Sequence, residues 1–462
     1  PDQHGKTMAP LTLEQLTAAA DAGEIDTVIL AQVDMQGRMM GKRLHVRHFL
    51  ESGYKESHSC NYLLAADLEM EPVPGFETTS WERGYGDYTM RPDLETLRLA
   101  PWLPGTALVL ADILDHHGMA PVSVSPRAIL QQQVERLATL GLSAKMASEL
   151  EFFLFKESFE DAESAGYRSL TPISPYNEDY HIFQTTKEEG VLRAIRNGLY
   201  GAGIPVESTK GEAAAGQGEL NIRYGAPIET ADYHTIAKNA AKEIAWSQGR
   251  ALTFMAKWNY AASGSSCHVH QSLWSADGAE PMFHDANGPY GMSEMMQHFL
   301  AGQLQHASEF TYFLAPNINS YKRFQAQTFA PTKAVWSSDN RTAGYRICGA
   351  DSPAVRVECR VGGADLNPYL AFAALLAAGI AGIEAKLELE PEAAGDAYAE
   401  TGGRAIPPTL RAATTALQGS SMLRTALGDD VVDHYVHAAE WEQIEYDRRV
   451  TDWEIARGFE RS

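Results

Sequence analysis

The segment Ala144 to Phe155 sets two glutamates, Glu149 and Glu151, at alternate positions of an otherwise apolar and aromatic stretch. Side chains along a strand point to opposite faces in turn. Met146, Ser148, Leu150, Phe152 and Leu154 then share one face, and Glu149, Glu151, Phe153 and Phe155 share the other. Two carboxylates side by side at roughly 6–7 Å between Cβ atoms narrow the possible folds: either this face meets water, or something positive is brought to it. For the pair alone, a solvated face is the plainer reading. The phenylalanines on the same face argue for a shielded wall.

Three other segments bear on that choice. In Cys267-His268-Val269-His270, two imidazoles fall on one strand face, a weak signal that by itself admits a zinc hydrolase. From Glu212 to Glu219, a Gly-rich loop lets the second glutamate return toward the first, although an exposed turn is the plainer reading of that segment alone. Val355 to Val361 alternates strictly, with Arg356, Glu358 and Arg360 on one face, which predicts a cavity wall. Residues 321–360 carry Lys322, Arg323, Lys333, Arg341, Arg346, Arg356 and Arg360 against Asp339, Asp351 and Glu358. This basic segment lies in a chain with 38 Lys and Arg against 60 Asp and Glu, a net charge of −22. Arginine forks match carboxylates and phosphates, so the segment is suited to anions. If Glu149, Glu151, Glu212, Glu219 and Glu358 converge, each pair repels by roughly 3 kcal/mol at ~5 Å and an effective dielectric of about 20. Such a cluster needs cations. Its oxygen donors favour Mg²⁺ or Mn²⁺ over zinc, and two ions over one. Divalent ions beside arginines suit phosphoryl transfer.

The remaining pattern is that of an ordinary globular protein: 44% of residues are hydrophobic and 21% charged. The negative charge argues against nucleic acid and anionic membranes as partners. Cys60, Cys267, Cys348 and Cys359 form no CxxC pair, and the first 25 residues show no secretory leader pattern, so a cytoplasmic location is expected. The apolar run Tyr369–Ile383 is too short to span a bilayer and predicts a buried core helix. Residues 1–10 read as a loose terminus. Leu11–Ala22 reads as a helix stopped by Gly23, completing an N-terminal segment 1–22. Residues 23–117 read as a small strand-rich domain, opened by a strand Thr27–Asp34 that runs into a hairpin at Met35-Gln36-Gly37. The larger part, 118–462, opens with a helix capped by Ser125-Pro126. Its apolar stripe is Ile129, Leu130, Val134, Leu137 and Leu140, and Gly141 closes it. Residues 384–400 read as a surface loop or lid-like insertion.

The motifs together resemble the type I glutamine synthetase family over essentially the whole chain. The matching segments are Ser148-Glu149-Leu150-Glu151, Glu212 to Glu219, Gly264 to His270, Asn319 to Arg323, Asn340-Arg341, Arg346, Arg356 to Arg360 and Asn367 to Leu370. The resemblance implies an α+β fold, with a small N-terminal β-grasp domain before a large catalytic domain. It also implies a dodecamer with active sites between subunits. By position, Glu151, Glu212 and Glu219 would hold one metal, and Glu149, His268 and Glu358 the other. Glu207, Tyr224, His270, Ser272, Arg346 and Arg356 would contact ATP. Gly264, Arg323 and Arg360 would hold glutamate, and Arg341 the phosphoryl group in transfer. Asp34 would reach a neighbouring subunit's amine site and, with Glu212, would be a candidate proton acceptor.

The departures from the family pattern concern the amine. Ammonia-using members carry a glutamate just before an Ala-Pro pair, where this chain has Phe329-Ala330-Pro331. They have asparagine where this chain has Ser263, and a His-rich stretch where it has Thr209-Lys210-Gly211. The pattern is similar to the γ-glutamyl-amine ligases of the family, including the γ-glutamylpolyamine and γ-glutamylethanolamide synthetases. The expected reaction joins glutamate to a small, ethanolamine-like primary amine at the expense of ATP, through γ-glutamyl phosphate. Ammonia-dependent glutamine synthesis, and a catalytically silent nitrogen sensor, are the rival readings.

Overall fold

The structure is a computed structural model and describes residues 10–462; the expected loose terminus falls on residues 1–9, outside the described residues, except for Pro10. The helix Leu13–Asp21 is capped by the Thr12 side chain. After it, β1 (Thr27–Val33) is buried along almost its whole length and forms a hairpin with β2 (Met39–His45). The turn between them needs Gly37 at φ +80, where an added Cβ would meet Asn367 at 3.1 Å. Strands β3 (Ser57–Cys60), β4 (Asp87–Pro92), β5 (Arg98–Leu99) and β6 (Thr106–Asp115) complete a sheet of order β2-β1-β6-β4-β3, with β5 on β6. Within this sheet, among the described residues, only β1 and β6 run parallel.

The helix Pro126–Thr139 has Pro126 in its first turn, but the Ser125 side chain makes no capping bond. Leu140 lies beyond its last turn and is exposed, so the buried stripe ends at Leu137. Next comes β7 (Leu142–Phe155), the long central strand of a second, eight-stranded sheet. The others are β8 (Val206–Gly211), β9 (Gln217–Ile222), β10 (Ala251–Thr253), β11 (Val269–Ser275), β13 (Trp336–Ser338), β14 (Tyr345–Cys348) and β15 (Arg356–Cys359). Their order is β13-β14-β15-β11-β7-β9-β8, with β10 also on β7. Short β12 (Lys333–Ala334) pairs separately with β16 (Arg404–Ala405).

The helix Pro368–Ala385 is buried against the helix Glu294–Leu314. It is the one helix among the described residues long and apolar enough to cross a membrane, and 78% of it lies inside the protein. The loop expected at 384–400 is present, but it is stitched down. Ala393 N donates to Trp336 O at 3.0 Å, and Ala393 and Ala397 pack on Val335 and Ala343.

Buried Arg127 joins the first sheet to the rest. Its guanidinium meets Asp93 at 2.6 Å and Asp232 at 3.0 Å, and also pairs with Asp112. Tyr369 Oη donates to Asp232 at 2.5 Å. Removing one partner of a buried ion pair leaves uncompensated charge and costs about 3–5 kcal/mol. Arg127→Leu is therefore expected to lower stability on that scale, read as the midpoint shift in denaturant unfolding, whereas Arg47→Leu at the exposed Asp21 pair should cost under about 1 kcal/mol.

Candidate active site

Register explains why the carboxylates meet. On β7 and β9, Glu151 lies directly opposite Glu219, and Glu149 opposite Asn221. Glu212 follows β8, whose Lys210 faces Glu219. Ligand atoms of Glu151, Glu212 and Glu219 all lie within 4.8 Å of one another. Glu151 is buried and accepts from Ser266 N at 2.6 Å and Gln217 Nε2 at 3.3 Å. Burial, with the charges of Glu212 and Glu219, pushes the Glu151 carboxyl well above the usual range. Burial, with Glu149 and Glu212, pushes Glu219 up to about 8. Lys210 is the one cationic side chain paired with this triad among the described residues, through Glu212.

The second cluster is built where β7, β11 and β15 adjoin. His268 Nδ1 lies 2.9 Å from a Glu149 oxygen and 3.4 Å from Glu358, while His270 Nε2 lies 2.9 Å from the other Glu149 oxygen. The sequence reading gave His270 to the nucleotide alone. The structure puts it against Glu149 as well, because its register partners are Ala147 on β7 and Glu358 on β15. Burial opposes ionisation of Glu149, yet hydrogen bonds to His268 and His270 outweigh it and hold the carboxyl far below its ordinary value. Burial is likewise outweighed at Glu358, by His268 and Arg360 above all, which bring it to about 2.

Both clusters fit divalent cations. The first offers only carboxylate oxygens and has far too little positive charge of its own. The second adds imidazole nitrogen, and the buried His268 Nε2 has no hydrogen-bond partner among the described residues. These donors suit Mg²⁺ or Mn²⁺.

Beside Glu149 opens a cavity of about 530 Å³. Glu207, Tyr224, His270, Ser272 and Arg356, five of the six residues expected at ATP, line it. Pairing of β8 with β9 skips Glu207, a bulge that re-aims the side chain. Arg346 does not line the cavity. It bonds Glu358 at 2.9 Å and also meets Asp339. Lys145 and Trp274 line the cavity too, the Lys145 ammonium lying 3.3 Å from the Trp274 ring centre. The sequence reading missed both, though each sits in alternation with a residue it used, Lys145 with Glu149 and Trp274 with His270 and Ser272.

The expected glutamate holders also come together. Buried Arg323 donates to Val361 O at 2.6 Å, and its Nη1 has no partner among the described residues. Gly264 is required beside it, since an added Cβ would lie 2.4 Å from Arg323 Cγ. Arg360 donates to Glu358 at 2.6 Å. Ser263 Oγ donates to Ala213 O at 3.2 Å, tying this loop to the one after Glu212. Arg341 is exposed, with no hydrogen bond among the described residues. Phe329 is 57% exposed and holds a left-handed φ of +59.

Asp34 is a correction. It is 1% exposed, accepts from the backbone N–H groups of Gln36 and Arg38, and pairs with Arg38 at 2.7 Å. Its carboxylate closes its own hairpin turn and is not available to reach another subunit's amine.

With this geometry, residues 123–458 match the glutamine synthetase catalytic domain. The chain belongs to the glutamine synthetase family and is a ligase of that family. A γ-glutamylethanolamide synthetase of Streptomyces coelicolor is 48% identical over 453 residues, 98% of this chain and 96% of that protein. A glutamate–isopropylamine ligase of a Pseudomonas species is 36% identical, covering 94% of this chain and 95% of its own length. The solved ligand-free structure of GmaS superposes with a TM-score of 0.82 at 27% identity, covering 97% of this chain and all of that one.

Without metal, two pH windows follow. A carboxyl whose native pKa is raised keeps a proton that the unfolded chain has lost, so stability falls as pH rises between the two values. Glu219 therefore makes the metal-free protein lose stability from about pH 4.5 upward through 8, and Glu151, also raised, acts in the same direction. Glu149 and Glu358, with lowered values, act the other way, and their contribution is lost below 4.5. Thermal midpoints measured across pH should fall on the alkaline side in chelator and recover with Mg²⁺; Glu219→Gln should flatten the alkaline fall.

Proposed function

We propose that this ligase joins the γ-carboxylate of glutamate to a small primary amine, ethanolamine-like, at the expense of ATP. The observation that carries the reading is Phe329: the loop position where ammonia-using relatives place an acid carries an exposed aromatic ring. Ordering ~40 Å² of ligand hydrocarbon against such a ring is worth roughly 1 kcal/mol, an advantage that ammonium cannot share. The names of the Streptomyces and Pseudomonas relatives support the same substrate class.

In this reading Arg323 and Arg360 orient glutamate, and the cavity beside Glu149 takes the nucleotide. Glu151, Glu212 and Glu219 would hold one divalent ion, and Glu149, His268 and Glu358 the other. Such ions neutralise phosphate charge and polarise the transferred group. The glutamate γ-carboxylate attacks the terminal phosphorus of ATP, giving γ-glutamyl phosphate and ADP. The neutral amine then displaces phosphate. Arg341, free of protein partners in the described chain, meets charge developing on the phosphoryl oxygens. With Asp34 sealed in its turn, Glu212 is the candidate acceptor of the amine proton. The working enzyme is cytoplasmic and a dodecamer.

Phosphate release with saturating glutamate and ATP across a panel of amines tests the assignment. Ethanolamine or a short alkylamine should give a larger kcat/KM than ammonium; the reverse order would make ammonia-dependent glutamine synthesis the function. Phe329→Glu should shift preference toward ammonium. Arg341→Lys keeps the charge and loses the planar fork, so turnover should drop by about 10²-fold with the KM for glutamate little changed.

A further inference from the structure

The strand end at Lys210 places a side-chain ammonium in an acidic, aromatic subsite. Lys210 Nζ pairs with Glu212, lies 3.2 Å from Asp179 Oδ1 and sits 4.3 Å from the Tyr180 ring centre. The side chain is 19% exposed. Tyr180 holds a left-handed φ of +55, and its N–H donates to Gly211 O at 3.3 Å, so the ring is presented by a fixed backbone. Two carboxylates and an aromatic face are the groups that would recognise a small ammonium ion.

We infer that Lys210 determines amine specificity by filling with a tethered ammonium the subsite that a free ammonium ion would need. This rests on the reading that the amine is used beside Glu212. A group carried by the chain is present at an effective concentration of mM order or more, so a dissolved ion competes poorly with it. Ammonium is recognised through charge and hydrogen bonds alone, and these are already taken. An amine with a carbon body retains apolar contact with the remaining exposed face of Tyr180, which is 69% exposed. Asp179 and Tyr180 contact the Lys210 ammonium as well, so the arrangement does not depend on Glu212 alone.

The test compares parent, Lys210→Met and Lys210→Arg, with ammonium chloride and ethanolamine as amines at saturating glutamate and ATP. Mg²⁺ binding is measured by calorimetry without nucleotide. Lys210→Met should raise kcat/KM for ammonium relative to ethanolamine by about tenfold or more, chiefly through a lower KM for ammonium, while Lys210→Arg keeps the parent ratio. Tyr180→Leu, which loosens the same subsite without altering Lys210, should move the ratio in the same direction. If the parent prefers ethanolamine and the Lys210→Met ratio stays within about twofold of it, the inference is overturned and the amine-ligase reading stands. The inference also falls if Lys210→Met depresses both amines equally and weakens Mg²⁺ binding, because the lysine then merely supports Glu212. A parent that itself prefers ammonium overturns both readings.

Discussion

Repulsion between glutamates on adjoining strands is the condition to which the rest of the site answers. Glu151 and Glu219 are exact register partners, and Glu149 stands two residues away on the same face. Like charges opposite one another destabilise a sheet, so each needs compensation, and the protein compensates them unequally. Around Glu149 and Glu358 it supplies two histidines, Arg346 and Arg360. Around Glu151, Glu212 and Glu219 it supplies backbone and amide donors and a single lysine. One cluster is nearly balanced by its own side chains, and the other sets one lysine against three carboxylates.

β7 ties the functions together. Its earlier residues, Lys145 and Ala147, line the cavity; Glu149 stands at the boundary; Glu151 enters the all-carboxylate cluster. Because one strand carries all of these, the spacing between the cavity and the two carboxylate clusters is set by strand geometry. The parts proposed to meet glutamate and amine differ in kind. Arg323 is locked by backbone carbonyls, whereas Phe329 and Tyr180 sit on connecting segments with exposed rings. On that proposal the chemistry is held rigidly and the choice of amine is left to loops, whose sequence can change without disturbing the sheet.

Much of this was legible in the sequence because strand alternation is a simple code. The shared face of Glu149 and Glu151, the face of Arg356, Glu358 and Arg360, and the buried helix from Pro368 all follow from period and composition. What escaped depended on pairing between distant strands. Nothing local to His270 says that Glu149 lies across from it, and nothing local to Lys210 says that Tyr180 will lie under its ammonium. Asp34 misled for the opposite reason. An aspartate before a tight Gly-containing turn has a local use, accepting from the following N–H groups, and that use prevailed over the role suggested by resemblance.

The turn closed by Asp34 has a consequence for how the chain is made. Asn367 Nδ2 donates to the carbonyls of Asp34 and Met35, 333 and 332 residues earlier. His434 meets the Leu64 carbonyl from 370 residues away. At ribosomal rates of about 5–20 residues per second, on the order of tens of seconds separate these partners. The strands of the first sheet therefore leave the ribosome well before residue 367 and the helix that follows it are made. The excess of acidic over basic residues in the chain opposes association of such strands on neighbouring nascent chains.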